Sequence, residues 1–191
     1  DQILQKTIPN GVTPWAFCFS DSHKIEVMDI SYTMMYMKDL SIDEFRRSME
    51  RGEFFSVSRY SNGIELNGMK EWPEFDNDKV ETYLKNPMPM ITRVTVDQKN
   101  DKISIEGTDF DRITWVSNGN VIKREENIKS GKATLDLHAS DLLDEPSLYV
   151  RFYVTGSDGI CYSQPFVLSV AGEEFDKVDV PETHDLSTFL R

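Results

Sequence analysis

One short motif carries two side chains that commonly bind metals, Asp21 and His23. In an extended segment, residues two positions apart point the same way, so both side chains could bind one metal ion or a pair of ions. The motif directly follows the apolar run 15–19, which is typical of a strand buried on both faces, as in a parallel α/β sheet or barrel. Sites of α/β folds lie just beyond such strand ends. The spacing alone is a weak signal and leaves two interpretations open, a metal site or an ordinary surface loop.

Histidine is scarce, with three residues in a chain of 191. His138 lies on the polar face of an alternating pattern, which predicts an exposed strand histidine, and His184 lies in an acidic stretch where we expect it to be solvated. Cys18 belongs to the apolar run and is expected to be a core residue, not a nucleophile. Because histidine is the commonest ligand of transition-metal hydrolase sites, this chain predicts an incomplete ligand set, and it offers no catalytic residue.

A helix and a strand are predicted after the motif. Ser41 and Glu44 have the spacing of a capping box, and Gly52 is a typical helix stop. Ile42, Phe45 and Met49 would form the apolar stripe of this helix. A strand is expected at residues 54–58.

From residue 91 the pattern of apolar and polar residues becomes that of short alternating strands separated by turns. Residues 148–154 alternate between apolar and polar, and residues 117–120 (SNGN) are typical of a hairpin turn. About seven such strands predict an antiparallel β-sandwich of immunoglobulin-like type over residues 91–171. Residues 60–90 are predicted to be an irregular connector, and residues 172–191 an acidic tail. The predicted fold class is α+β and mainly β.

The run WAFCFSDSH at residues 15–23 resembles the last metal-ligand segment of the PHP (polymerase and histidinol phosphatase) family. Residues 31–37 resemble the family's next strand, and residues 40–55 its following helix and strand. The resemblance implies that residues 1–59 are the C-terminal end of a PHP-like α/β barrel. Residues 113–119 and 149–165 look like the small β-domain appended to many such phosphoesterases. Asp21 and His23 would then be two ligands of a multinuclear Mn, Fe or Zn centre that generates a hydroxide nucleophile.

The sequence also departs from the family pattern. The family's barrel opens with an H-x-H motif and takes further His and Glu ligands from its middle strands, and no such segment precedes Trp15. Glu53 stands where the family often has Arg. The resemblance therefore implies the C-terminal portion of a metal-dependent phosphoesterase, inactive as an isolated fragment. Its partners would be the missing N-terminal barrel segment and a phosphorylated small-molecule substrate.

Charge and composition limit the other partners. A formal net charge of −12 repels phosphate backbones, so nucleic acid is not an expected partner. No apolar run approaches the roughly 18 residues of a membrane helix, and two cysteines give no disulfide framework, which favours the cytoplasm. Two alternatives stay open. One is an immunoglobulin-like module that binds a partner through its acidic face, and the other is a structural domain that forms a homo-oligomer through its exposed apolar run.

Overall fold

The computed structural model describes residues 1–21, 23, 30–59, 87–138 and 149–168. Within them the elements follow in chain order as α1 (Gln2–Thr7), a 3₁₀ turn (Ile8–Asn10), β1 (Ser31–Met35), α2 (Ile42–Arg51), β2 (Phe54–Ser58), β3 (Met90–Asp97), β4 (Lys102–Thr108), β5 (Arg112–Ser117), β6 (Asn120–Glu126), β7 (Lys132–Asp136), β8 (Tyr149–Gly156), β9 (Gly159–Tyr162) and β10 (Phe166–Val167). Neither helix has the length and apolar character needed to cross a membrane.

The strands form two antiparallel sheets. The larger sheet has the order β1-β2-β9-β8-β5-β6, with β10 also paired to β8, and the smaller has the order β3-β4-β7. The predicted mainly-β, α+β fold class is therefore confirmed, while the immunoglobulin-like type stays a prediction. The SNGN turn joins β5 to β6 as expected, with Ser117 paired to Asn120.

One hydrophobic core joins the two sheets. Trp115 on β5 is fully buried, and its ring lies edge-on to Phe152 of β8 at a centroid distance of 5.1 Å. Ile103 and Leu135 of the smaller sheet belong to the same cluster. Alternate residues of each strand enter this core because side chains on a strand point to opposite faces. Each such burial contributes about 1.5–3 kcal/mol.

The predicted boundary between residues 59 and 91 does not divide the sheets. β2 pairs with β9, and Val57 lies opposite Cys161. Residues assigned to a barrel end and residues assigned to a β-sandwich therefore share one sheet and one core. The connector at 60–86 and the acidic tail at 172–191 lie outside the described residues.

Helix α2 begins and ends where the sequence predicts. The Ser41 hydroxyl accepts a hydrogen bond from the Glu44 amide at 3.2 Å, and Gly52 takes the left-handed conformation at φ 65°. The apolar stripe of this helix is largely uncovered, since Ile42 is 62% and Phe45 41% exposed. The reason is that α2 connects two paired strands, β1 and β2, at the edge of the sheet. Its one fully buried side chain is Ser48.

Candidate metal site

Asp21 and His23 lie side by side on the surface. His23 Nε2 is 4.0 Å from Asp21 Oδ1, and the two side chains are 88% and 97% exposed respectively. The extended geometry expected for the motif is wrong, because Asp21 has a φ of 48°, in the left-handed region. Short polar residues such as Asp tolerate that region better than most residues. The chain therefore turns at Asp21, and the turn still leaves the carboxylate and the imidazole close together.

The apolar run before the motif is not a buried strand, contrary to the prediction. Residues 12–20 have no regular secondary structure, and Phe19 is 75% exposed. Phe17 stacks on Phe54 of β2 with ring centroids 4.6 Å apart and planes 18° apart. Five consecutive apolar residues have the same pattern whether they pair within a sheet or lie across one, so periodicity could not distinguish the two arrangements.

Side chains of β1, of β2 and of the loop between β9 and β10 hold this segment. Ala16 N donates to Gln164 Oε1 at 2.9 Å, and Gln164 Nε2 donates to Ala16 O at 2.8 Å. The Ser56 hydroxyl donates to the same carbonyl at 2.8 Å. Thr33 Oγ1 accepts from Cys18 N at 3.1 Å and donates to Cys18 O at 3.0 Å. These hydrogen bonds all use side chains of the sheet or its loop, and among the described residues 12–20 pair with no strand.

The start of the chain is anchored on the same face. The Asp1 carboxylate accepts from Arg151 Nε at 2.8 Å and Arg151 Nη2 at 2.6 Å, and Tyr149 donates its hydroxyl to Asp1 at 2.8 Å. Leu4 and Ile8 pack on Tyr149. Residues 12–20 therefore cross the sheet between an anchored helix, α1, and the Asp21 turn. The sequence pattern did not predict α1 or its anchor, because both depend on residues more than a hundred positions away.

Two ligands do not make a metal site. Structural zinc sites use four protein ligands and catalytic ones usually three. In the part of the chain that the structure describes, no group of three or more His, Cys, Asp or Glu side chains could hold a metal ion. Glu26 and Asp29, the nearest acidic residues after the motif, lie outside the described residues. The described residues by themselves therefore do not fit a catalytic metal centre.

Other residues with potential chemistry are engaged elsewhere. His138 is exposed just past β7, with its Nε2 2.6 Å from Asp101 Oδ2. Cys161 is buried in the core, and burial raises the pKa of its thiol to about 12, so it is no nucleophile near neutral pH. Cys18, predicted to be a core residue, is only partly buried.

Comparison of the chain with protein-family models, with curated proteins and with solved structures finds no match.

Proposed function

We propose that this chain is the C-terminal portion of a PHP-family metal-dependent phosphoesterase that hydrolyses phosphate esters. The observation that carries the proposal is the pairing of Asp21 and His23. Metal bonds to carboxylate oxygen and imidazole nitrogen measure ~2.0–2.2 Å, so two such atoms on one ion lie at most about 4.3 Å apart. Asp21 Oδ1 and His23 Nε2 are 4.0 Å apart and open to solvent. In tetrahedral coordination two such atoms lie about 3.4 Å apart, so both could bind one ion after small rotations of these exposed side chains.

The remaining ligands of the centre, which would hold Mn, Fe or Zn, belong in this proposal to an N-terminal barrel segment. When bound, such metals supply a hydroxide nucleophile and neutralise phosphoryl oxygens. The exposed rings of Phe17 and Phe19 support this assignment, because a barrel packed on them would remove apolar surface from water. The proposal includes a cytoplasmic location, which the free thiols of Cys18 and Cys161 support.

The test is phosphatase activity with Mn²⁺ and p-nitrophenyl phosphate, measured on two polypeptides. One is the isolated chain, and the other is the native polypeptide purified from its source cells with an antibody to this chain. We expect activity from a longer native polypeptide and none from the isolated chain. Asp21→Ala and His23→Ala in the native polypeptide should each lower the activity at least tenfold, since even partners of metal ligands are worth that much.

His138→Ala is the matched control, because His138 is exposed and pairs with Asp101, away from the motif. It should leave the activity unchanged. Hydrolysis by the isolated chain, or full activity in the native Asp21→Ala protein, would contradict the proposal.

A second candidate is an immunoglobulin-like module that binds a partner through its acidic surface. The observation that favours it is the pair of antiparallel sheets, together with the lack of a third metal ligand among the described residues. Two results together would favour this candidate over the phosphoesterase. The native polypeptide would have the size of this chain, and the Asp21→Ala, His23→Ala double variant would still bind the partner protein.

A further inference from the structure

A pocket of about 440 Å³ opens beside the C-terminal end of α2. Its walls come from five separate parts of the chain: Trp15, Tyr36, residues 51–55, residues 92–94 and residues 163–166. The volume lies within the ~300–1,000 Å³ range of small-molecule sites. Neither Asp21 nor His23 lines it. The pocket is therefore distinct from the candidate metal ligands Asp21 and His23.

The neutral polar groups of the pocket already bond to the protein. The amide of Gln164 is used in both directions by Ala16. The Tyr36 hydroxyl donates to the backbone carbonyl of Ile91, and burial raises its pKa to about 12, so it stays protonated. The Thr92 hydroxyl donates to a carbonyl of β4 at 3.2 Å. These groups shape the pocket and hold its walls together.

The charged groups leave only cationic donors with spare capacity. Both carboxylate oxygens of Glu53 are occupied, one by Arg51 Nε at 3.0 Å and the other by Arg47 Nη1 at 2.5 Å. Arg51 uses only its Nε there, and Arg93 makes no ion pair with any described residue. The pocket lining thus holds two guanidinium groups and one acid, and both oxygens of that acid are already paired. Guanidinium groups bind carboxylates and phosphates in a planar, two-point geometry.

Much of the remaining pocket wall is aromatic. The Trp15 ring lies directly against Gly52, where a β-carbon would come within 2.9 Å of it. Gly52 also has a φ of +65°, so a side chain is disfavoured there twice over. Phe54 and Phe166 complete the apolar lining. A flat apolar ligand can stack on such aromatic walls.

We infer that this pocket binds a small organic anion, whose carboxylate or phosphate pairs with the guanidinium groups of Arg51 and Arg93 and whose flat apolar body stacks on Trp15. The inference rests on the pairing of donors and acceptors just described and is independent of the proposed phosphoesterase activity. Loss of Asp21 or His23 leaves it intact, so the two proposals fail or succeed separately.

The experiment is a titration of the whole chain with three probes of one shape, 2-naphthoate, 2-naphthyl phosphate and the uncharged 2-naphthamide. Binding is followed by calorimetry and by tryptophan fluorescence. We expect the anions to bind at least tenfold more tightly than the amide, and more weakly as salt is added. A preference for naphthoate identifies carboxylic acids as the ligand class, and a preference for naphthyl phosphate identifies phosphate esters. Either preference supports the inference.

Arg93→Gln should weaken anion binding roughly tenfold or more, because it removes a charge-assisted contact. Arg46→Gln is the matched control, since Arg46 is exposed on α2 and does not line the pocket. Trp15→Phe should abolish the fluorescence change and keep the calorimetric signal. Equal affinity for the amide and the anions, equal affinity of Arg93→Gln and Arg46→Gln, or no binding of the anions at millimolar concentration to the folded chain would overturn the inference.

Discussion

Replacement of Gln164 by Leu tests how residues 12–20 are held on the sheet. The substitution keeps the size of a buried side chain and removes two hydrogen bonds to Ala16, one at 2.9 Å and one at 2.8 Å. A hydrogen bond contributes ~0.5–1.5 kcal/mol net, so the two together should stabilise this segment by about 1–3 kcal/mol. The Ser56 hydroxyl still donates to the Ala16 carbonyl, so only the Ala16 amide loses its protein partner.

Hydrogen exchange of the Ala16 amide, followed by NMR under native conditions, measures this loss. An opening free energy lower by about 1–3 kcal/mol corresponds to an exchange rate about 5-fold to 150-fold faster. The amide of Trp115 lies in a core strand, so it should exchange only when the whole protein unfolds. Its opening free energy should therefore equal the global free energy of unfolding of each variant. Gln98→Leu, in the exposed turn between β3 and β4, is the matched control. If Ala16 exchanges equally fast in both variants, Gln164 does not hold the segment.

Three further predictions concern the core and the electrostatics. Trp115→Ala should lower the free energy of unfolding, measured in urea, by roughly 3–5 kcal/mol, because Trp115 is fully buried. The control Val121→Ala, at an exposed site, should lower it by about 0.5 kcal/mol or less. Equal effects of the two substitutions would contradict a shared core. Cys161 should resist thiol reagents at pH 8 until the protein unfolds, because burial raises its pKa to about 12; rapid labelling would contradict its burial. Hydrogen bonds from Arg47 lower the pKa of Glu44 below its ordinary value of 4.5, so NMR should place its midpoint below that value. The stability that this pair contributes is present above the ordinary pKa and is lost as the pH falls through the lowered one; an unchanged midpoint would contradict the pairing.

Local signals predicted the elements whose causes are local. The SNGN turn joins β5 to β6 because a hairpin turn depends on a few neighbouring residues, and Ser41 caps α2 for the same reason. The strand at 54–58 was also predicted with its observed bounds. The exposure of the apolar stripe of α2 could not be predicted, because an amphipathic pattern indicates which face is apolar and says nothing about what covers it. Ile42 faces solvent, since α2 extends from the edge of the sheet.

The candidate site also combines features that depend on local sequence with features that depend on distant residues. The sequence by itself singled out Asp21 and His23 as neighbours, and their spacing keeps them within 4.0 Å even though the chain turns at Asp21. Only the tertiary structure decided that the apolar run before them lies across the sheet, because Gln164, 148 residues away from Ala16, supplies two of its hydrogen bonds. The pairing of β2 with β9 and the pocket likewise bring distant segments together. Contacts of this kind depend on the free energy of the whole packed arrangement, and no local pattern of residues encodes them.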